Sequence, residues 1–318
     1  MALSVVPVAG FFSGCLGCMT LVEALAKEQP GCMHLMTFAH FLFTTLEGLI
    51  FTSKFFTTKQ RLPLRGIWPI ALTCFFSNVI NNQALNFRIP VPLFIIFRSS
   101  TLLGNLLLNR LIEKRTYPLR KYLAVVVVTI GIVVCTLATS NLRSERNEAT
   151  EEHAKELAVG CGLLILGLLI SAYLPIIQEK FYKKYGKHTQ EAMFKFHLLS
   201  LPFFAFLWGD IATNATSFSA SAPLKAFGVD IPHMWATLFA SAVLQCICVR
   251  FVYRMNAEVE SLTATLFTTL RKFLSLLISI VYFQNPFTPT HWIGAGFVFA
   301  GTLAFSDIWA KNDRKKND

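Results

Sequence analysis

Lys272 is the residue whose position most demands a chemical explanation, because it is a cation inside an apolar run, residues 260–283. It lies about 12 residues, or roughly 18 Å, along a helix, where a charge in a bilayer costs at least about 2.5 kcal/mol. Polar residues spaced four and three apart share its helical face: Ser261, Thr265, Thr268, Lys272, Ser275 and Ser279. Such a stripe is suited to binding an anion. The alternative is a helix-packing seam with a structural ion pair.

Arg98 is a second cation inside an apolar run, residues 91–112. At spacings of 3, 4 and 4 it shares a helical face with Thr101, Asn105 and Asn109. Arg271 lies about 100° around the helix from Lys272 and either lines the same cavity or pairs with an acid. Because Arg binds phosphate through two parallel hydrogen bonds and Lys binds it as a point charge, these cations predict a phosphate-bearing ligand.

Five other polar residues in apolar runs are candidate binding groups, each with a structural alternative. Glu47 is the acid available to pair with a buried cation, or to contact the ligand. Asn82 and Asn86 lie on one face and either hydrogen-bond a base or sugar or join helices. Lys195 lies near the end of its run, where snorkelling to water explains it. A single His197 is more typical of a satisfied core histidine than of a ligand-binding group.

Arrangements typical of catalysis are missing from the sequence. It has no glycine-rich phosphate loop, no His/Cys cluster with metal-ligand spacing and no His-Asp-Ser set. Buried charges without such a cluster favour transport over catalysis, and we expect no cofactor and no metal. Reduced, buried thiols are the expectation for the six cysteines in apolar runs, namely Cys15, Cys18, Cys135, Cys161, Cys246 and Cys248.

The elements that must position these residues are membrane helices. The chain is 54% hydrophobic and only 15% charged, against about 45–50% and about 25% in soluble domains. Each of ten apolar runs is long enough to span a bilayer; they are 5–25, 33–56, 67–86, 91–112, 121–140, 157–178, 190–209, 232–252, 260–283 and 290–309. The sequence therefore predicts an all-α membrane protein with ten transmembrane helices.

The basic residues predict the orientation of these helices. In a soluble protein the net charge of +11 would suggest nucleic acid, but here the basic residues lie in short loops between runs and no nucleic-acid partner is expected. With the N-terminus in the cytosol, 18 Lys and Arg lie on the cytosolic side and 6 on the other. This bias predicts a multi-pass protein with both termini cytosolic.

Two short motifs fit that orientation. Asn214-Ala215-Thr216 is an N-glycosylation sequon in a loop predicted to be lumenal, which makes Asn214 a glycosylation candidate. Lys315 and Lys316, in the tail, resemble the dilysine retrieval signal of the early secretory pathway, which would bind coat proteins. The alternative is a solvated basic tail.

The two halves of the chain look related. Arg98 and Arg271 are 173 residues apart, and Gly131 and Gly301 are 170 apart, in similar surroundings. We therefore divide the chain into one five-helix repeat at 1–140, a polar lumenal linker at 141–156, a second repeat at 157–309 and a basic tail at 310–318. Because five is an odd number, the second repeat is inverted, as in secondary transporters with a site between their repeats.

Several segments together resemble the nucleotide-sugar transporters of the endoplasmic reticulum and Golgi, solute carrier family 35, and most closely its branch for UDP-xylose and UDP-N-acetylglucosamine. They are Ile96-Phe97-Arg98-Ser99, Tyr185-Gly186-Lys187-His188, Leu270-Arg271-Lys272-Phe273, the run from Asn81 to Asn86 and the run from Tyr282 to Thr288. The resemblance implies the ten-helix drug/metabolite transporter fold. It also implies exchange of cytosolic UDP-sugar for lumenal UMP by alternating access, with Lys272 and Arg98 meeting the phosphates.

One segment departs from the resemblance. Many relatives carry Phe-Tyr-Asn where this chain reads Phe194-Lys195-Phe196, and that Asn helps them to recognise the base. Base and sugar preference therefore stay open. A transporter of the sulfate-donor nucleotide PAPS, or of a sugar phosphate, is the related alternative. A membrane-embedded enzyme and a scaffold are alternatives from other classes, and a homodimer is left open.

Overall fold

The fold is almost entirely helical. The computed structural model describes residues 5–305 except 88, 113, 115–117, 146–150, 187, 227–228 and 259–260. The first helices are α1 (Val5–Glu28), α2 (Met33–Glu47), a π-helical turn (Gly48–Thr52), α3 (Leu64–Asn86), α4 (Val91–Ser99), α5 (Thr101–Ile112) and α6 (Leu119–Glu145). Next come α7 (Glu151–Tyr185), α8 (Thr189–Ser200), a 3₁₀ segment (Leu201–Leu207) and α9 (Trp208–Ser219). A hairpin of β1 (Pro223–Ala226) and β2 (Val229–Pro232) precedes α10 (His233–Glu258), α11 (Ser261–Val281) and α12 (Pro289–Phe305).

Six stretches of helix in the described part of the chain are long and apolar enough to cross a membrane. They are Ala9–Glu28, Met33–Thr52, Leu119–Thr139, Lys155–Tyr185, Thr189–Ser219 and His233–Val252. Each overlaps one of the ten predicted runs, and the other four runs are also helical, in α3, α4 with α5, α11 and α12. The prediction of a helical membrane protein is therefore confirmed, and the number ten stays a prediction.

Contacts divide the chain into two compact units. Unit 1 holds residues 1–82 and 177–257, and unit 2 holds residues 83–176 and 258–318. The chain crosses between the units three times, within α3, within α7 and at the last residue of α10. These units group residues by packing, whereas the predicted repeats group them by sequence likeness, so the repeats also stay a prediction.

The run 91–112 was expected to be one helix, but it is broken at Ser100, between α4 and α5. The amide of Ser100 donates to the carbonyl of Phe97, 3.0 Å away, and its hydroxyl donates to the carbonyl of Ile96 at 3.2 Å. The Thr101 hydroxyl donates to the carbonyl of Arg98, 2.7 Å away. Consecutive hydroxyl residues compete for backbone groups in this way, and the break brings the Arg98 carbonyl within reach of side-chain donors.

In unit 2, helices α6 and α12 meet at glycines. A Cβ atom on Gly131 would lie 2.6 Å from the carbonyl oxygen of Gly294, and one on Gly301 would lie 2.6 Å from Val128 Cγ2. The opposite face of α6 exposes apolar side chains four and three residues apart: Leu119, Leu123, Val126, Ile130, Val133 and Leu137. Small residues on one face and exposed apolar residues on the other are typical of a membrane helix that packs on one side and faces lipid on the other.

A disulfide between Cys15 and Cys248 joins α1 to α10 in unit 1, so the expectation of a reduced thiol is wrong for these two residues. Gly14 brings the helices together, because a Cβ there would lie 3.0 Å from Ile247 Cγ2 and 3.1 Å from the amide nitrogen of Cys248. The other four cysteines of the apolar runs are thiols: Cys18, Cys135, Cys161 and Cys246.

The α6–α12 contact predicts a strong penalty for a side chain at Gly294. There, a Cβ would lie 2.8 Å from the carbonyl of Gly131, whereas at Gly296, on the same helix, it would meet nothing within 4 Å. Gly294→Leu should lower the free energy of unfolding by about 1–3 kcal/mol through overpacking. Gly296→Leu should change it by no more than about 0.5 kcal/mol. Unfolding of the purified variants in detergent measures both, and equal stability would contradict the close contact.

Candidate anion-binding site

In unit 2 the structure brings together the two cations that the sequence singled out. Lys272 of α11 donates a hydrogen bond from Nζ to the backbone carbonyl of Arg98, 3.0 Å away. This carbonyl lies in the last turn of α4, just before the break at Ser100. The C-terminal end of a helix carries a partial negative charge that favours a nearby cation. This end of α4 therefore stabilises the ammonium of Lys272.

The side chain of Arg98 is exposed rather than buried. Its guanidinium carbon lies 5.5 Å from the centroid of the Phe94 ring, one turn earlier in α4. Such a contact is a cation–π interaction that orients the guanidinium. Arg98 therefore contributes two groups to the site, a carbonyl that accepts from Lys272 and a guanidinium with exposed donors.

Ser275 adds a hydroxyl one turn after Lys272. Its Oγ is buried and has no hydrogen-bond partner among the described residues, and an unsatisfied buried polar group costs about 1–3 kcal/mol. A ligand oxygen would satisfy it. Further along the same stripe, the Ser279 hydroxyl accepts a hydrogen bond from Asn285 Nδ2, 2.9 Å away, so that end of the stripe is structural.

The remaining candidate residues of unit 2 add less to this site. Arg271 is partly buried beside Lys272 in unit 2. The side chains of Thr268 and Asn105 lie outside the described residues. Asn86 is exposed, and its Nδ2 donates to Gln83 Oε1, 3.1 Å away.

Asn82 acts as a helix-packing residue in unit 1. Its Nδ2 donates to Thr37 Oγ1 at 2.5 Å and lies 3.3 Å from the carbonyl of Met33. These bonds join α3 to α2 and occupy the donors of the amide. Of the two roles left open for Asn82, the structure favours helix packing.

Glu47 forms an ion pair with Arg250 of α10 in unit 1. The carboxylate side chain is only 11% exposed, whereas that of Arg250 is 50% exposed. From the sequence, Glu47 is the acid available to pair with a buried cation such as Arg271. In the structure its partner is instead Arg250. The structural alternative for Glu47 accounts for its position.

Lys195 does not snorkel, and that expectation is wrong. Its side chain is 3% exposed and its Nζ donates to Glu191 Oε1 at 2.7 Å and to the carbonyl of Leu62 at 2.6 Å. The carboxylate of Glu191 accepts two further bonds, each 3.0 Å long, from the amides of Arg61 and Leu62. This network joins α8 to the segment before α3. The four-residue spacing of Glu191 and Lys195 is the signal in the sequence for this ion pair.

His197 is a partly buried packing residue. Its Nδ1 donates to the carbonyl of Met193 at 2.7 Å, which leaves Nε2 as the acceptor of the neutral ring. The ring centroid lies 4.6 Å from that of Phe41. Both contacts are those of a packed side chain, in agreement with the structural alternative.

Asn214 is not in the expected loop but inside α9, because the helix continues to Ser219. The residue is 5% exposed. Its Nδ2, the atom that would carry a glycan, donates to the carbonyl and side chain of Asp210 at 2.9 and 3.2 Å. A glycan on the folded chain would require this turn of α9 to open. Lys315 and Lys316 lie outside the described residues.

Comparison with known proteins shows the family to which the chain belongs. The model of the UAA transporter family matches residues 3–309, nearly the whole chain. The chain belongs to the UAA transporter family. This confirms the resemblance to nucleotide-sugar transporters and puts the chain among transporters rather than enzymes.

Its relatives in the UAA family are similar along their whole length. A "UDP-xylose and UDP-N-acetylglucosamine transporter" from Danio rerio is 43% identical, covering 93% of this chain and 92% of the relative. The human "Nucleotide sugar transporter SLC35B4" is 40% identical, covering 96% and 97%. An "Endoplasmic reticulum GDP-fucose transporter" from Drosophila melanogaster is 41% identical, covering 97% and 92%. Because these names differ in base while the identities barely differ, overall similarity does not decide the base.

The Lys195 network predicts a structural phenotype. Lys195→Met leaves the largely buried carboxylate of Glu191 without its cation, so the free energy of unfolding should fall by about 3 kcal/mol. Lys184→Met, at an exposed position near the end of α7, should be neutral. Denaturation of both variants in detergent, with the transport KM of the folded fraction, separates the roles. Unchanged stability with a raised KM would indicate a ligand-binding lysine instead.

Proposed function

We propose that this UAA family member carries nucleotide sugars, UDP-N-acetylglucosamine or UDP-xylose or both, from the cytosol into the lumen of the endoplasmic reticulum or Golgi in exchange for UMP. The observation that carries the proposal is the position of Lys272, whose ammonium rests on a backbone carbonyl at the α4–α5 break beside the Arg98 guanidinium. The names of the relatives support the substrate class.

The resting contact of Lys272 suits a phosphate ligand. A hydrogen bond between two charged groups is about twice as strong as one to a neutral acceptor. A diphosphate oxygen therefore competes well with the Arg98 carbonyl for the ammonium of Lys272. The exposed Arg98 guanidinium can bind the same diphosphate through two hydrogen bonds. The unsatisfied hydroxyl of Ser275 can donate a further hydrogen bond to the diphosphate.

The contact between Lys272 and the end of α4 also gives a physical reason for exchange. In the described contacts, the positive charge of Lys272 meets the C-terminal end of α4, which carries a partial charge of about −0.5, and that of Arg98 meets the Phe94 ring. A bound nucleotide neutralises both, so the loaded carrier should reorient more readily than the empty one. Ten membrane spans in two inverted five-helix repeats, with both termini cytosolic, complete the proposal. Retrieval through Lys315 and Lys316 is its proposed route to the early secretory pathway.

Base recognition should not come from the position where many relatives carry Asn. In this chain that position is Phe196, which is buried and has no hydrogen-bonding group in its side chain. The Lys195 before it is already held by Glu191 and the Leu62 carbonyl. A relative named for GDP-fucose is nearly as similar as one named for UDP-sugars. Uptake by proteoliposomes across labelled UDP- and GDP-sugars therefore tests the base directly.

Removing either cation should impair transport. A charge-assisted bond to phosphate contributes roughly 1.5–3 kcal/mol, so Lys272→Ala and Arg98→Ala should each lower kcat/KM at least about tenfold. Lys272→Arg should restore only part of the rate, because a planar guanidinium does not replace a compact ammonium. Lys184→Ala serves as the exposed control. Native rate and affinity for folded Lys272→Ala, measured in proteoliposomes, would show that the site is placed wrongly.

Transport should be faster as exchange than as net uptake. Proteoliposomes preloaded with UMP should take up labelled UDP-N-acetylglucosamine faster than those preloaded with uridine or with buffer, because uridine has no phosphate to neutralise Lys272 and Arg98. Equal initial rates under the three preloads would contradict the coupling. Stimulation by GMP alone would keep the mechanism and change the base.

A further inference from the structure

A second candidate binding site lies in unit 1, where a cavity of about 450 Å³ opens between the segment after α2 and the start of α8. Thr52 at the end of the π-helical turn, with Ser53 and Thr58 after it, forms one part of its lining, and Thr189 and Gln190 of α8 form another. The lining includes Lys195, but that side chain is held by Glu191 and Leu62. Nothing in the proposed transport cycle uses this cavity.

The lining of the cavity is cationic. Lys59 and Arg61 line it and are both exposed. The one acid among the lining residues is Glu191, whose carboxylate already accepts from Lys195 Nζ at 2.7 Å and from the amides of Arg61 and Leu62 at 3.0 Å. With three lining cations and one lining acid, which is paired internally, the charges of Lys59 and Arg61 remain for a ligand.

The start of α8 adds backbone donors. The first amides of a helix have no partner within the helix, and the N-cap residue, His188, makes no side-chain capping bond. Thr189 and Gln190 belong to this first turn and line the cavity. A helix start beside two cations is suited to phosphate.

An apolar rim borders the cavity. Between the lining residues Ser53 and Thr58, the chain turns through left-handed φ angles at Lys54, Phe55 and Phe56, of 46°, 54° and 63°. The turn leaves the side chains of Phe55 and Phe56 exposed by 66% and 54%. The ring of Phe56 also lies 5.9 Å from that of Phe194, which lines the cavity. Exposed rings at the end of a membrane-capable helix suit the interfacial and acyl region of a bilayer.

We propose that this cavity binds the phosphate headgroup of an anionic phospholipid. Lys59, Arg61 and the first amides of α8 hold the phosphate, while Phe55 and Phe56 lie against the lipid tails. The same donors could hold a free phosphate, but the apolar rim favours a lipid. The distribution of Lys and Arg predicts that this loop is cytosolic, and anionic lipids are concentrated in the cytosolic leaflet.

The test uses the full-length protein in detergent, titrated with phosphatidic acid and followed by native mass spectrometry and by thermal unfolding. Lys59→Gln/Arg61→Gln should weaken phosphatidic acid binding at least about tenfold, since each cation near an anionic lipid contributes about 1 kcal/mol. Lys54→Gln/Arg65→Gln is the matched control, because it removes the same charge from exposed residues that do not line the cavity. Gln190→Glu, which puts a carboxylate on the lining, should also weaken binding.

Two further arms identify the ligand. Phosphatidylcholine should give little binding, and glycerol 3-phosphate should give no shift in the unfolding temperature at concentrations where phosphatidic acid does. Equal weakening by both double variants would overturn the site, as would the absence of any phosphatidic acid complex in the unaltered protein. A shift with glycerol 3-phosphate equal to that with phosphatidic acid would overturn the lipid in favour of a soluble phosphate.

Discussion

A bilayer core contains no water to solvate a charge, so each buried charge of this chain must find its partner inside the protein. Glu47 meets Arg250, and Lys195 meets Glu191 together with a backbone carbonyl. Lys272 meets only the carbonyl of Arg98 in the described contacts of its ammonium. Of these three contacts, the last joins a full charge to a neutral group. It is therefore the one that an anionic ligand can most easily replace.

Breaks and close contacts in the helices make these pairings available. The hydroxyls of Ser100 and Thr101 interrupt one long run and bring the Arg98 carbonyl to Lys272. Elsewhere in unit 2, glycines let α6 and α12 approach closely. The break after Arg98 leaves a backbone carbonyl that a side chain from another helix uses, and tight packing of the remaining helices keeps such an interruption in place.

Membership of the UAA family indicates the class of molecule transported, nucleotide sugars, but does not indicate which base or sugar. Phosphate is common to every nucleotide sugar, so the proposed site of Lys272, Arg98 and Ser275 suits UDP- and GDP-sugars alike. At the position where the resemblance places a base-binding Asn, this chain has the buried Phe196, and the neighbouring Lys195 is occupied by structural contacts. Base and sugar discrimination must therefore come from other side chains of this chain.

The sequence by itself determined the helical membrane class and the family, and it singled out Lys272 and Arg98 as cations inside apolar runs, because apolar run length and a charge inside a run are local properties. Only the tertiary structure decided how polar groups pair across the chain. Glu47 with Arg250, Cys15 with Cys248, the Leu62 carbonyl with Lys195 and the Arg98 carbonyl with Lys272 are examples. Each joins residues more than a hundred positions apart, and helix periodicity carries no information about which helices become neighbours. The burial of Asn214 is also a tertiary property, since it depends on what packs against α9.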